Sequence, residues 1–266
     1  MNTTKKTLIN KDIRTTLLKM VGRSGGSHIA SAPSCVEIVN AVFKCMDLDK
    51  IINKQEDRDR IIFSKGHATS CLYSVMHHHG LFSQQQIDKY LVNGSNISGH
   101  TSHFLDYVEH STGALGHGLS TALGIAIGSL TKGYNNRIFV VVGDGELHEG
   151  SNWEALMYAG DQAINNLCLL VDKNNYAQMH SIEQSVALEP LCKKLSAFNF
   201  YPITLDGHDE AAIIDTISTT KDSKKPIAIV CSTTKGKGVS FMENNNLWHY
   251  RSPVGEDLDN ALAEVE

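Results

Sequence analysis

A run of five β-branched and aromatic residues, Ile-Phe-Val-Val-Val at 138–142, constrains the fold of this chain more than any other feature. It lies in the segment 137–143 and shows no alternation of apolar and polar residues. Such a run is typical of a strand buried on both faces of a parallel sheet. Similar strands fit 167–172, 201–205 and 226–231. Because helical segments separate these strands, the sequence predicts an α/β fold, a parallel sheet with right-handed crossovers flanked by helices.

Apolar residues at helical spacing predict the helices of this fold. The predicted helices cover 7–20, 34–47, 68–79, 118–130, 151–164 and 207–217. The stretch 93–118 is instead rich in Gly, Ser, Asn and His, and we predict a long functional loop there. The acidic composition of residues 255–266 predicts a short helix or a tail. Since no linker, repeat or low-complexity tract interrupts the sequence, we expect a single domain over 1–266.

The charge balance excludes several partner classes. Lys plus Arg total 24 against 29 Asp plus Glu, a formal net charge of −5, which offers no positive field for nucleic acid or for an anionic membrane surface. No apolar run approaches the roughly 18 residues that span a bilayer, so we expect no membrane partner and a cytoplasmic location. The six cysteines form no C-x-x-C pair. We expect reduced structural residues, with a reactive or ligating thiol as the alternative.

Two of the predicted strands end in polar residues suited to ligand binding. The strand at 137–143 leads into Gly-Asp-Gly-Glu at 143–146, and the strand at 167–172 leads into Asp-Lys-Asn-Asn at 172–175. Asn174 follows Asp144 by thirty positions. Ligands of open α/β sheets bind beyond the carboxyl ends of the strands. If the two strands are neighbours, Asp144 and Asn174 therefore meet at one edge of the sheet.

These residue types favour a metal and a phosphate group as the ligand. A carboxylate, an amide oxygen and a main-chain carbonyl are hard ligands that, with phosphate oxygens and water, complete the octahedral shell of Mg²⁺. The pattern Ser151-x-x-Glu154 matches a capping box, and the dipole of a helix beginning there favours a phosphate in the same crevice. The leading interpretation is a diphosphate-metal site. The alternative is an ordinary Gly-Asp-Gly turn, which the paired Asn174 disfavours.

The same residues resemble a known family. The Gly-Asp-Gly at 143–145 followed by Asn174 resembles the thiamine diphosphate motif, and the stretch 143–155, Gly-Asp-Gly-Glu-Leu-His-Glu-Gly-Ser-Asn-Trp-Glu-Ala, is similar to transketolase. Further similar motifs are Ser-Lys-Gly-His-Ala at 64–68, Gly-His at 99–100, Thr-Gly-Ala-Leu-Gly at 112–116, Lys-Gly-Lys-Gly-Val-Ser-Phe-Met-Glu-Asn at 235–244 and Trp-His at 248–249. The resemblance is collinear from about residue 14 to residue 253, nearly the whole chain.

The resemblance implies thiamine diphosphate as the cofactor, held through Mg²⁺, for which Ca²⁺ or Mn²⁺ can substitute. It makes Asp144 and Asn174 side-chain metal ligands and the main-chain carbonyl of Tyr176 a third ligand. The cofactor-binding residues that it implies are His67, Gly113, Ala114, Leu115, Gly143, Asp144, Gly145, Glu146, Glu149, Asn174, Tyr176, Gln178 and His249.

The resemblance also assigns catalytic roles to histidines. His67 and His249 are expected to hydrogen-bond diphosphate oxygens or intermediates, whereas His28 and His100 face the substrate and exchange protons with a sugar hydroxyl. An imidazole suits both roles because its unperturbed pKa near 6.5 lies close to neutrality. His117 stands where the family often has Gln, so a direct cofactor role is in doubt.

Two further groups of residues allow more than one interpretation. The run His-His-His at 77–79 points in three directions on a helix, and we interpret it as a solvated helix end rather than a metal site. Glu149 and Glu154 match acidic residues that, in the family, lie near the subunit interface and connect paired active sites. The capping role of Glu154 is compatible with that assignment.

Full-length transketolase has three consecutive domains, and this chain resembles only the first of them, so we expect no pyrimidine-binding or C-terminal domain within it. In the family a glutamate of the second domain binds the aminopyrimidine ring of the cofactor. We therefore predict the N-terminal subunit of a split transketolase that transfers two-carbon ketol units between sugars or sugar phosphates. Its partner is a separately encoded C-terminal subunit, in an α2β2 assembly.

Two alternatives remain open at this point. The chain could be a subunit of another thiamine diphosphate enzyme, one that decarboxylates 2-oxo acids or that resembles deoxyxylulose-phosphate synthase. It could also be a non-catalytic protein that retains the fold. The histidines at 28, 67, 100 and 249 favour ketol transfer, and the intact metal ligands disfavour the non-catalytic alternative.

Overall fold

A five-stranded parallel sheet forms the centre of the molecule, in strand order β1-β2-β3-β7-β6. The computed structural model describes residues 3–178 and 180–265, and for residues 3–8 only the backbone. The strands of this sheet are β1 (Arg60–Phe63), β2 (Ile138–Gly143), β3 (Leu167–Lys173), β6 (Tyr201–Asp206) and β7 (Ile227–Ser232). A small antiparallel pair, β4 (Tyr176–Ala177) with β5 (His180–Ser181), follows β3.

Helices cover both faces of the sheet. They are α1 (Thr3–Ser24), α2 (Val36–Cys45), α3 (Leu48–Ile52), α4 (Thr69–His78), α5 (Gln84–Ile87), α6 (His117–Thr131), α7 (Gly150–Asp161), α8 (Ile182–Ser185), α9 (Leu191–Ala197), α10 (Glu210–Thr219) and α11 (Glu256–Val265). Short 3-10 turns cover Ile29–Ser31, Pro33–Cys35, Gly66–Ala68, Gly145–His148 and Asn246–His249. In the described part of the chain, none of these helices has the length and the apolar content needed to cross a bilayer.

The alternating side chains of β2 divide the core into two layers. Phe139 and Val141 pack with helices α1, α2, α4, α10 and α11 on one face. Ile138, Val140 and Val142 pack with α6, α7 and α9 on the other face. All six residues of β2 are buried. The uninterrupted apolar run of this strand therefore follows from its position between two helical layers.

The predicted fold class and the four predicted strands are confirmed, with small shifts at their ends. Strand β1 was not predicted, because it begins at Arg60 within the charged segment Arg-Asp-Arg at 58–60 and its three apolar residues give too short a run. The predicted loop at 93–118 contains no helix or strand until α6 begins at His117. Residues 256–265 form helix α11, and Glu266 lies outside the described residues.

The pairing of β2 with β3 determines where ligands can bind. Gly143 is the register partner of Asp172, so the two strands end side by side. The segments that follow them, Asp144 onward and Asn174 onward, emerge at the same edge of the sheet. The sequence-based condition for a shared site, that these strands are neighbours, is therefore met.

One local prediction was wrong, and a second holds only in part. Helix α7 begins at Gly150 with Glu149 as its N-cap and no side-chain cap, and Ser151 Oγ instead donates to the carbonyl of Gly116 at 2.9 Å. The predicted capping box is therefore absent from this helix. The histidines at 77–79 are only partly solvated, because His79 stacks on Phe43 at 5.5 Å between ring centroids.

Candidate functional site

A cavity of about 450 Å³ lies beyond the carboxyl ends of β2 and β3. Most of the residues predicted for the site line it, namely His28, His67, His100, Gly113, Leu115, Gly143, Asp144, Gly145, Glu146, Glu149, Asn174, Tyr176, Gln178 and His249. Of the predicted residues, all within the described chain, Ala114 alone is not in the lining. His117 is exposed at the start of α6 and does not line this cavity.

Asp144 and Asn174 lie together at the base of the cavity. The Asp144 carboxylate accepts the main-chain N–H of Gly145 at 2.9 Å and that of Asn175 at 2.5 Å, so it ties the end of β2 to the end of β3. The Asn174 Oδ1 atom accepts the N–H of Tyr176 at 3.1 Å. Both side chains are nearly inaccessible to solvent, with exposed fractions of 1% and 7%. Their orientation is therefore determined by backbone groups.

Asp144 has no ion-pair partner in residues 9–178 and 180–265, where the side chains are described. The positive charge of Lys65 lowers the pKa of Asp144, but only as a minor cause. Burial, with the nearby Asp172 carboxylate as a second cause, raises the pKa of Asp144 to about 7. A divalent cation at this carboxylate would remove that penalty. The donors present, one carboxylate with amide and main-chain oxygens, fit a hard cation such as Mg²⁺.

Histidine, cysteine and carboxylate clusters give no further metal site. Across the described segments, no group of three or more such side chains is arranged to hold a metal ion. Of the three proposed metal ligands, only Asp144 belongs to those residue types.

A buried ion pair underlies the site. The Lys65 ammonium pairs with the Asp172 carboxylate and donates to the carbonyl of Ser31 at 3.1 Å. Ser34 Oγ donates to the same carboxylate at 2.6 Å, and Thr233 Oγ1 donates to its other oxygen. Burial alone would favour the neutral forms, but the mutual attraction raises the pKa of Lys65 and lowers that of Asp172.

Asp172 also faces the proposed metal ligand Asn174. The Asn174 amide nitrogen lies 3.5 Å from Asp172 Oδ2, so the amide nitrogen points to the ion pair and Oδ1 points away from it. The network thus joins segments from β1, β3 and β7 beneath the cavity. Sequence reasoning missed Lys65 as a site residue, although it lies within the quoted motif at 64–68.

Two glycines allow the backbone to approach the cavity. A Cβ atom on Gly145 would lie 3.0 Å from Ala177 Cα and 3.2 Å from the carbonyl oxygen of Tyr176. A Cβ atom on Gly113 would lie 3.1 Å from the His100 ring. Both positions are therefore crowded by neighbouring chain segments, which gives a physical reason for glycine at each.

Four histidines form a cluster above the carboxylate. The ring centroid of His28 lies 5.4 Å from that of His67, 6.4 Å from His100 and 5.1 Å from His249. His28 has a left-handed backbone conformation, with φ of 63°, and its N–H donates to the carbonyl of His249 at 2.8 Å. This bond ties the loop after α1 to the segment before α11. The structure thus brings together all four histidines singled out from the sequence.

Burial favours the neutral form of these imidazoles. Burial is the main cause that lowers the pKa of each, to about 4 for His249 and well below the usual value for His67. The pKa values of His28 and His100 are lowered for the same reason. A neutral imidazole has one nitrogen that donates and one that accepts a hydrogen bond. Each ring is therefore able to accept a proton from a hydroxyl group or to donate a hydrogen bond to an oxygen.

Lys235 adds a positive charge to the upper wall. Its ammonium donates to the carbonyl of Gln178 at 2.9 Å, lies 3.3 Å from His249 Nδ1 and stands 4.9 Å from the centroid of the Tyr176 ring. Burial lowers its pKa to about 8. Sequence reasoning quoted Lys235 within a motif but gave it no role.

The acidic residues Glu146, Glu149 and Glu154 differ in their surroundings. The Glu146 carboxylate is buried and accepts from Ser64 Oγ and from the main-chain N–H of Gly116, which anchors the loop before α6. Burial raises the pKa of Glu146. Glu149 and Glu154 are exposed on the described chain.

Known proteins resemble this chain over most of its length. The family described as the thiamine diphosphate binding domain of transketolase matches residues 4–263. An apulose-4-phosphate transketolase subunit of Actinobacillus succinogenes is 35% identical over 243 residues, which cover 91% of this chain and 88% of that protein. The 6-deoxy-6-sulfo-D-fructose transketolase subunit SqwG of a Clostridium species is 32% identical over 258 residues, covering 96% and 94%.

Solved structures show the same fold. The transketolase of Campylobacter jejuni superposes with a TM-score of 0.89 at 25% identity, covering all of this chain and 43% of its own. This chain thus spans less than half of that polypeptide but most of the two relatives from Actinobacillus and Clostridium. The chain belongs to the family of transketolase thiamine diphosphate-binding domains.

Proposed function

We propose that this protein is the diphosphate-binding subunit of a two-subunit transketolase that requires thiamine diphosphate and Mg²⁺. The observation that carries the proposal is the buried Asp144 carboxylate beside Asn174, which forms no ion pair in the described chain, in a cavity that four histidines also line. Relatives matched over most of their length are named as subunits of transketolases.

The side chains of Asp144 and Asn174, with the carbonyl of Tyr176, hold the cation. The main chain at Gly145 contacts the diphosphate, and His67 and His249 donate hydrogen bonds to its oxygens. Gly113, Ala114, Leu115, Gly143, Glu146, Glu149 and Gln178 complete the proposed cofactor surface. When bound, thiamine diphosphate supplies the nucleophilic carbon that cleaves a ketose beside its carbonyl group.

The chain's own contribution to the reaction is positioning and proton transfer. His28 and His100 line the same cavity as Asp144, and they accept a proton from a substrate hydroxyl and return it to the product. Their lowered pKa values keep them in the neutral form that this exchange needs at neutral pH.

The partner in this proposal is a separately encoded C-terminal transketolase subunit, in an α2β2 assembly. It supplies the residues that bind the aminopyrimidine end of the cofactor. The substrates are sugars or sugar phosphates. The names of the two relatives specify a sugar phosphate and a sulfo sugar, so an anionic group at the end of the substrate chain belongs in the assay panel.

Mixing the purified subunits tests this proposal. The chain is combined with the product of the neighbouring reading frame, thiamine diphosphate and Mg²⁺, and two-carbon transfer from ketoses is measured with pyruvate as an alternative donor. We expect transfer from ketoses by the mixture and none by either protein on its own. Robust turnover by the isolated chain would contradict the two-subunit assignment. Turnover of pyruvate without ketol transfer would replace it by a 2-oxo acid enzyme.

Calorimetry separates an enzyme subunit from a protein that has only kept the fold. Titration of thiamine diphosphate with Mg²⁺ into the mixture should give metal-dependent binding. No binding by the chain, alone or with its partner, would overturn the cofactor assignment.

A further inference from the structure

An exposed aromatic residue stands directly after a histidine of the cluster. Tyr250 lines the cavity, and 57% of its surface is exposed. Its ring centroid lies 4.6 Å from that of His249 and 5.3 Å from that of His28, nearly perpendicular to the first. It therefore stands against the histidine cluster with one side open to the cavity.

Packing does not explain this ring. The nearby Trp248 is buried, packs on Phe241 at 5.2 Å between centroids and is covered by Arg251. Tyr250, two residues further, contacts imidazoles instead of core side chains. Within the described residues its hydroxyl group has no hydrogen-bond partner. Within the described residues, neither a hydrogen bond of the hydroxyl group nor packing against core side chains therefore holds this ring.

Tyr250 forms one exposed part of the cavity lining, next to the buried His249. Asp144 is 1% exposed, His249 is 5% exposed and Tyr250 is 57% exposed. His100, Glu149 and His180 are further exposed lining residues with polar side chains. A substrate chain that is held at His249 and leaves the cavity along this wall contacts Tyr250. The imidazoles and Lys235 around that path are polar, so the phenol ring supplies an apolar surface for the C–H groups of a carbon chain.

We propose that Tyr250 is a specificity-determining residue whose ring contacts the ketose chain beyond the bond that is cleaved. This inference rests on the proposed function. Donors long enough to reach the ring gain this contact, and donors that end before it do not. Tyr250 thus favours longer ketoses through binding, whereas the proton transfers stay with the histidines.

Donor chain length tests the inference in the complete enzyme with partner, thiamine diphosphate and Mg²⁺. The probes are four-carbon L-erythrulose and the most active six-carbon ketose or ketose phosphate. We expect Tyr250→Ala to lower kcat/KM about tenfold for the six-carbon donor, mainly through KM, and less than about twofold for erythrulose. Tyr250→Phe keeps the ring and should stay within about twofold of the wild type for both donors.

Tyr201→Ala is the matched control, because Tyr201 is similarly exposed, at 52%, but lies at the opposite end of the sheet on β6. Its kcat/KM values and its cofactor affinity should match those of the wild type. Equal losses for both donors in Tyr250→Ala, or no loss for either, would overturn the specificity role. An inactive wild-type mixture would instead refute the proposed function, so the two failures are distinguishable. Calorimetry with thiamine diphosphate and the melting temperature verify that Tyr250→Ala still folds and binds cofactor.

Discussion

The two ends of the sheet carry polar cavities of similar size and opposite character. The candidate site, at the carboxyl ends of β2 and β3, has a volume of about 450 Å³, and a second cavity at the amino ends of β1 and β2 has about 500 Å³. The second cavity is lined by Lys44, Asp47, Lys50, Asp57, Asp59, Arg137 and Lys221 among others. Charged side chains line both cavities, so neither the volume nor the polarity of the lining distinguishes the two cavities.

The surroundings of the charges distinguish the two ends. In the amino-end cavity Lys50 pairs with Asp57 at 2.5 Å, and both side chains are about two-fifths exposed, at 36% and 42%. In the candidate site Asp144 is buried without a paired cation in the described chain. Keeping a buried carboxylate without a cation is costly, whereas an exposed pair costs little. A buried carboxylate without an ion-pair partner therefore distinguishes the candidate site from the second cavity, whereas cavity volume does not.

Removal of the Asp144 carboxylate should produce the largest difference between the two ends. We expect Asp144→Ala to weaken thiamine diphosphate binding in the presence of Mg²⁺ by about 100-fold or more, since even residues that only support metal ligands cost about 10–100-fold. Isothermal titration calorimetry measures this loss. Chelation of the metal should weaken binding in the wild type and have no further effect in the variant.

The control for this experiment is Asp57→Ala in the amino-end cavity, which should bind cofactor as the wild type does. An unchanged affinity in Asp144→Ala would remove Asp144 from the site. An equal loss in both variants would remove the distinction between the two cavities.

The buried and exposed ion pairs should differ in stability by a smaller amount. Lys65→Met leaves the Asp172 carboxylate buried without its partner, so we expect a loss of about 3–5 kcal/mol in the free energy of unfolding. Lys50→Met should leave the denaturation midpoint unchanged, because that pair is exposed to solvent. Urea denaturation of the two variants and the wild type measures the contrast.

The double variant Lys65→Met with Asp172→Asn sharpens this test. Asp172→Asn removes the uncompensated charge, so the double variant should recover part of the lost stability. If Lys65→Met is as stable as the wild type, the pair does not support the base of the site.

The smallest expected effect is a gain of stability from a change within the site. Asp144 has a pKa of about 7 in the folded chain without cofactor and metal, against 3.8 as its usual value. An acid with a raised folded-state pKa stabilises the fold below the unfolded-state pKa and loses that contribution as the pH rises through the folded-state pKa. Asp144→Asn without cofactor should therefore raise the melting temperature by about 5 °C at pH 8, with a smaller rise towards pH 4.

Asp57→Asn provides the contrast in the amino-end cavity. The Lys50 hydrogen bond lowers the pKa of Asp57, so its removal should give no rise at any pH. A pH-independent effect of Asp144→Asn would show that the buried charge is not the cause of its stability change. Differential scanning fluorimetry across this pH range records both variants.

The sequence predicted the layered α/β fold because strands buried on both faces need uninterrupted apolar runs, as in β2 and β3. It missed β1, whose four residues are too few to give such a signal. It also predicted a capping box at Ser151 and Glu154, but the close approach of the Gly116 carbonyl gives Ser151 Oγ a different acceptor. Local patterns are overruled where a distant segment offers a competing hydrogen bond.

The candidate site was predictable to a similar extent. Asp144, Asn174 and the four histidines were singled out from motifs, and they lie around one cavity. Their proposed roles stay predictions. Lys65, Asp172 and Tyr250 received no role, because residues up to 107 positions apart meet only in the folded chain.

The sequence by itself determined the fold class, the family and the identity of the polar residues at the ends of β2 and β3, since these depend on local composition and order. The tertiary structure decided which charges are paired: Asp172 forms an ion pair with Lys65, whereas Asp144 forms none within the described chain. The physical reason is that burial and pairing depend on distances between segments remote in sequence. Those distances also bring Tyr250 against His28 at the open side of the cavity.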